Sequence, residues 1–194
     1  WGEMQAFLAE ADDVILRYGD QIPLFKALEC EYFPEEMNRF ANLRDHQNVK
    51  LWILGQHESA DHRYDYFAMR DQETRQYTED VIAALNTGFF QLLAHPDVIM
   101  VNYEQPTPLL LECMDRIFAE CERRGVAVEI NANGLRRSVG YPNAQIWNLS
   151  KRYKLTTIIS SDAHDPRNLV DGAVCQAEQL AADWGITVTP KLTF

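Results

Sequence analysis

Five apolar stretches of this 194-residue chain run into side chains that can hold a cation or move a proton. "ALECEY" (27–32) carries Glu29 and Glu31. "LWILGQ" (51–56) runs into His57, and "FFQLLA" (89–94) into His95 of "HPD". "VAVEIN" (126–131) carries Glu129 and Asn131, with Asn133 just beyond. "TTIIS" (156–160) leads through Ser161 to Asp162 and His164. Residues two apart on an extended segment point to the same side, which pairs Glu29 with Glu31 and Asp162 with His164. Imidazole and carboxylate suit Zn²⁺, Mn²⁺ or Fe, with no thiolate required. A carboxylate can bridge two ions. Two ions roughly 3.5–4 Å apart activate a water and stabilise both oxygens of a displacement at phosphorus. Arg136, in the stretch "NANGLRR" (131–137) read as a loop, could clamp a phosphate with its planar fork.

Each residue alone has an ordinary explanation. A histidine at a strand end is often structural, and "HPD" can cap a loop. An unpaired buried carboxylate is costly, so Glu29 could be answered by Lys26 or an arginine. The coincidence at several strand ends favours the metal reading. His46 and His62 lie in polar stretches and read as solvated, as do Glu58, Asp61, Asp65 and the acidic run 71–80. Trp52, Phe89, Phe90 and Trp147 read as core.

To bring these residues together the strands must share one rim. The pattern supports this: a helix over Met4–Tyr18 ended by Gly19, a strand over 22–32, and a helix over 34–46 starting at Pro34. A strand (49–56), a helix (74–86) closed by Gly88, and the short strand 89–94 follow. Thr107-Pro108 opens a helix over 108–124, with Gly125 after its end. Next come strand 126–131, a helix from Asn143 to about Lys154, strand 156–160, helix 167–184, and a further strand over 186–189. Strand–helix alternation with mostly unbroken apolar strands predicts a parallel sheet covered by helices, in one domain over 1–194. In such folds the C-terminal strand ends share one rim. Nothing like G-x-G-x-x-G or a P-loop follows any strand, which disfavours a nucleotide-cradling open sheet.

Composition sets the remaining limits. Apolar residues make up 46% of the chain, enough for a buried core. The formal net charge of −11 argues against nucleic acid and anionic membrane as partners and suits a site that gathers cations. Four scattered cysteines without a C-x-x-C pair suggest a reducing, cytoplasmic setting. No apolar run approaches the ~18 residues of a membrane span.

In order, "ALECEYFPE", "LGQHE", "LAHPD", "EINANGLRR" and "SSDAHDP" resemble the PHP (polymerase and histidinol phosphatase) superfamily, on the side of the monofunctional histidinol phosphatases. The resemblance implies a distorted α/β barrel of seven strands, TIM-like, with up to three divalent ions on its rim. It implies Glu29 as a bridging carboxylate that shares one ion with His57 and His95 and a second with Asp162. His164 would belong to a third. Arg136 would hold the substrate phosphate, with Asn133 and Glu129 nearby on the substrate side. Glu31, Asp97, Glu129 and Asn131 would orient ligands. The family's opening His-x-His strand, and a second strand ending in His, have no counterpart here. The expectation is therefore a domain incomplete at its N-terminus. Ala27 stands where the family has Gly, and Gln56 where it has an apolar residue.

The implied activity is hydrolysis of a small phosphate monoester, L-histidinol phosphate first, by a metal-bridged hydroxide, with a homo-oligomer compatible. The alternatives are a nuclease of the same superfamily, a non-catalytic metal-binding or interaction module, and, more distantly, an amidohydrolase-type barrel.

Overall fold

Strand and helix alternate along the chain as the apolar pattern predicts. The computed structural model describes residues 2–46, 48–58, 70–190 and 192, apart from the side chains of Asp45 and His46. Among these residues the order is α1 (Gly2–Tyr18), β1 (Ala27–Cys30), α2 (Met37–His46), β2 (Leu51–Leu54), α3 (Asp71–Asn86) and β3 (Leu92–Leu93). It continues with α4 (Pro108–Arg124), β4 (Ala127–Asn131), α5 (Ala132–Arg137), α6 (Ala144–Ser150), β5 (Thr157–Ser160) and α7 (Gly172–Asp183).

The strands form one parallel sheet in the order β1-β2-β3-β4-β5. Every C-terminal strand end therefore lies on the same side. Among the described residues the sheet has five strands and does not close, where the expectation was a seven-strand barrel lacking its first two strands. Closure requires tilt and stagger over more strands, about eight for an interior that side chains just fill.

Local chemistry explains the sharper boundaries. Thr107 accepts a hydrogen bond from the Leu110 amide at 3.1 Å, Pro108 occupies the first turn of α4, and Gly125 ends it with φ 67°. The buried face of α4 includes Leu110, Met114, Ile117 and Phe118, and it packs against α3 and α6. Full burial of each such side chain contributes about 1.5–3 kcal/mol. Trp52, Phe89, Phe90 and Trp147 are core, as expected. Strand β4 is buried along its whole length, as suits a strand flanked on both sides.

Four expectations are corrected. The stretch 131–137 is not a loop: α5 forms there, and Arg136 stands on it. The run 89–94 pairs only at Leu92–Leu93, while Phe89 and Phe90 turn into the core. The stretch 186–189 makes one isolated bridge, Val188 to Thr157, in place of a strand. The strand read over 22–32 is confined to Ala27–Cys30, while His46 ends α2 as the helix over 34–46 predicts. The readings of His62, Asp61 and Asp65 fall outside the described residues.

Candidate metal centre

The ends of β1, β2 and β3 bring Glu29, His57 and His95 together. Each offers a ligand atom, and the three lie within 4.8 Å of one another. Glu29 Oε1 stands 3.3 Å from His95 Nε2, and the two imidazole rings are 4.9 Å apart between centroids. Exposure is graded across the triad: the side chains of His95, His57 and Glu29 are 5%, 30% and 40% accessible. Two imidazoles and one carboxylate with an open side match the three-ligand pattern of catalytic zinc sites.

The electrostatics run in the same direction. Burial pushes the Glu29 carboxyl up, but the hydrogen bond and charge of His95, then the charges of His57 and His164, outweigh it and hold the pKa below the ordinary value. Burial opposes the His95 imidazolium, yet Glu29, Glu129 and Asp162 together raise its pKa. Nδ1 of His95 is buried with no hydrogen-bond partner among the described residues. An unmet buried polar atom is rare and marks a place where an ion or water belongs.

The supports come from neighbouring strand ends. Glu31 lies 3.4 Å from His57 Nδ1 and accepts the Glu58 amide at 2.9 Å. Glu129 Oε2 accepts the His95 amide and the Asn131 side chain, both at 2.9 Å. His95 has φ 27°, a conformation uncommon outside glycine, and that amide bond helps hold it. Gln56, fully buried, accepts the Tyr32 amide at 2.8 Å and donates to the Glu58 carbonyl at 2.6 Å, tying the ends of β1 and β2 together. Gly55 makes room for Glu29. A Cβ on Gly55 would stand 2.7 Å from Glu29 Cδ and 2.8 Å from Cγ, closer than side chains tolerate. Sequence reading missed Gly55 and noted Gln56 only as a departure from the family pattern, since the sole signal of either role was a place between a strand and His57.

Asp162 and His164 lie outside that triad but act on it through charge. Asp162, at φ 44°, accepts the side-chain amides of Asn131 at 3.2 Å and Asn133 at 3.1 Å on one oxygen. His164 is 76% accessible, with Nδ1 3.0 Å from the Asp162 carbonyl oxygen. Arg136 makes a two-pronged ion pair with Asp171, Nε to Oδ2 at 2.7 Å and Nη2 to Oδ1 at 3.2 Å.

No family model and no curated protein matches the chain. Solved structures do. A histidinol phosphate phosphatase from Lactococcus lactis subsp. lactis Il1403, complexed with zinc, L-histidinol and phosphate, superposes with a TM-score of 0.74. Identity is 16%, over 95% of this chain and 75% of that one. The chain has the histidinol-phosphatase fold. A Listeria monocytogenes protein assigned as a histidinol phosphatase gives 0.68 at 13% identity, over 89% of this chain and 75% of its own.

In this histidinol-phosphatase fold, the His95-Pro96-Asp97 turn is anchored below the triad by Asp97. Its Oδ2 accepts the Asn143 amide at 2.7 Å and Trp147 Nε1 at 3.1 Å, while Oδ1 has no partner among the described residues. Burial raises its pKa to about 6 against these hydrogen bonds. The folded state then binds the Asp97 proton more tightly than the unfolded chain. The stabilising contribution is complete below the ordinary aspartate value near 3.8 and is lost as pH rises through about 6. Asp97→Asn keeps one acceptor oxygen and no charge. Urea unfolding as a function of pH should show it gaining roughly 1–3 kcal/mol on the wild type between about pH 4 and 7. A constant difference across that window would contradict the assignment.

Proposed function

We propose that the chain hydrolyses a small phosphate monoester with divalent-metal help, and that L-histidinol phosphate is the substrate to try first. The observation that carries this reading is the convergence of Glu29, His57 and His95 at three adjacent strand ends. The fold shared with a phosphatase bound to zinc, L-histidinol and phosphate supports it.

Glu29, His57 and His95 would hold one ion, and Asp162 and His164, beside them on the rim, would serve further ions. A divalent ion there supplies Lewis acidity to a phosphoryl oxygen and lowers the pKa of a water. The chain's own residues do the rest. Glu31, 3.4 Å from His57 Nδ1, would orient that imidazole. Glu129 fixes the His95 backbone, and with it the direction of the imidazole. Such outer partners commonly contribute 10–100-fold to metal affinity or activity. The exposed side of Glu29 leaves room for substrate. The net charge of −11 gives no general attraction for a nucleic-acid strand.

The test is hydrolysis of L-histidinol phosphate by protein stripped with a chelator and resupplied with Zn²⁺ or Mn²⁺, alongside a short single-stranded DNA. Release of phosphate that is lost on stripping and restored by the ion, with intact DNA, is the expected result. Cleaved DNA would favour the nuclease. Bound metal without either activity would favour a non-catalytic module.

A further inference from the structure

Arg136 has five N–H donors, and the protein takes all of them. Nε and one Nη2 hydrogen go to the two oxygens of Asp171, at 2.7 and 3.2 Å. The other Nη2 donation goes to the Asn168 carbonyl at 3.3 Å. Nη1 serves the Ser161 carbonyl at 3.1 Å and Asn133 Oδ1 at 3.2 Å.

These acceptors form a pattern. Ser161 and Asn168 mark the two ends of the segment that carries Asp162 and His164. Asn133, held through its oxygen, turns its amide to Asp162 Oδ2. One guanidinium thus fixes the backbone just before Asp162, the Asp162 carboxylate through Asn133, and the far end of the segment. Asp162 sits at φ 44°, a conformation that surrounding contacts must maintain in a non-glycine residue.

Asp171 is itself immobilised. Its Oδ1 caps α7 by accepting the Ala173 and Val174 amides at 3.1 and 3.3 Å. A phosphate seeking the fork would have to displace a carboxylate bound in the two-pronged geometry that suits guanidinium best. That carboxylate also neutralises the charge that would attract the phosphate.

We infer that Arg136, set by Asp171, is a positioning residue that braces the Asp162–His164 segment, and that it does not contact the substrate phosphate. The kinetic part of the test rests on the phosphatase reading; the exchange part does not. Three variants serve: Asp171→Asn, Arg136→Lys, and Asp171→Ser, which keeps a cap oxygen on α7 and removes only the fork partner.

Amide hydrogen exchange across 161–168 in metal-free protein should speed up about tenfold or more in each, as a local opening loses its tie. In the turnover assay kcat should fall about 10–100-fold. KM and inhibition by inorganic phosphate should stay within about twofold, and an Asp171→Asn/Arg136→Lys pair should be no worse than the worse single change, because both cut one network. Unchanged exchange in all three variants would overturn the brace. So would an Arg136→Lys enzyme whose KM and phosphate inhibition constant rise tenfold while kcat holds. If the wild type hydrolyses nothing, the phosphatase reading fails, and the exchange data still decide the role of Arg136.

Discussion

Glu29→Gln is expected to abolish cation uptake and phosphate release together while leaving the fold intact. Glutamine has the same shape, but it presents the site with a neutral amide. Glu29 faces two imidazoles, and its carboxyl is held below its ordinary pKa by His95 and His57 against the effect of burial. The site therefore depends on its charge. The side chain is 40% accessible, so losing its charge beside His95 should move global stability by no more than about 1 kcal/mol. Metal content after dialysis against Zn²⁺ or Mn²⁺ should drop, with affinity down more than the ~100-fold that loss of an outer partner can cause. Turnover should fall in proportion. A Glu29→Gln protein with wild-type metal content would remove the residue from the centre.

Gly55→Ala should have nearly as large an effect by a different route. The added methyl group would occupy the space of the Glu29 side chain, within 2.8 Å of Cγ and Cδ and closer still to Oε1. Gly55 needs no left-handed backbone, so alanine is tolerated by the chain itself. The carboxylate is the part that must move, and it has solvent to move into. The fold should lose little, with a thermal midpoint within a few degrees of wild type. Cation affinity should fall about 100-fold or more, since Glu29 is pushed away from His95. Titration calorimetry with Mn²⁺ measures the loss, and thermal unfolding of the metal-free protein measures the fold. If alanine left the affinity untouched, the packing of Gly55 against Glu29 would have no bearing on the site.

What could be read from the sequence follows how local each cause is. Helix α4 was legible to the residue because Thr107, Pro108 and Gly125 act within a turn of its ends. Glu29, His57 and His95 were legible because apolar runs reveal strands, and parallel strands put their C-terminal ends on one side. Helix α5 was not, because six residues with Gly134 inside them carry no apolar period. Arg136 was consequently placed on a loop. The contributions of Gly55, Gln56 and Asp171 were also hidden, since each depends on a partner 24 to 35 positions away. The sheet's open form was legible in part: the resemblance already implied two strands fewer than the full barrel, while closure itself is a property of strand number and stagger, not of any single segment.

The graded exposure of the triad bears on how fast an ion comes and goes. His95 is a fixed wall, held by its own amide on Glu129, whereas Glu29 hangs in partial contact with water. Of the three residues that would hold an ion, the exposed carboxylate would be the easier to release and the buried imidazole the harder. Rotation of that one exposed arm would then set how readily a bound ion is released, so loosening or rigidifying it would change residence time together with affinity.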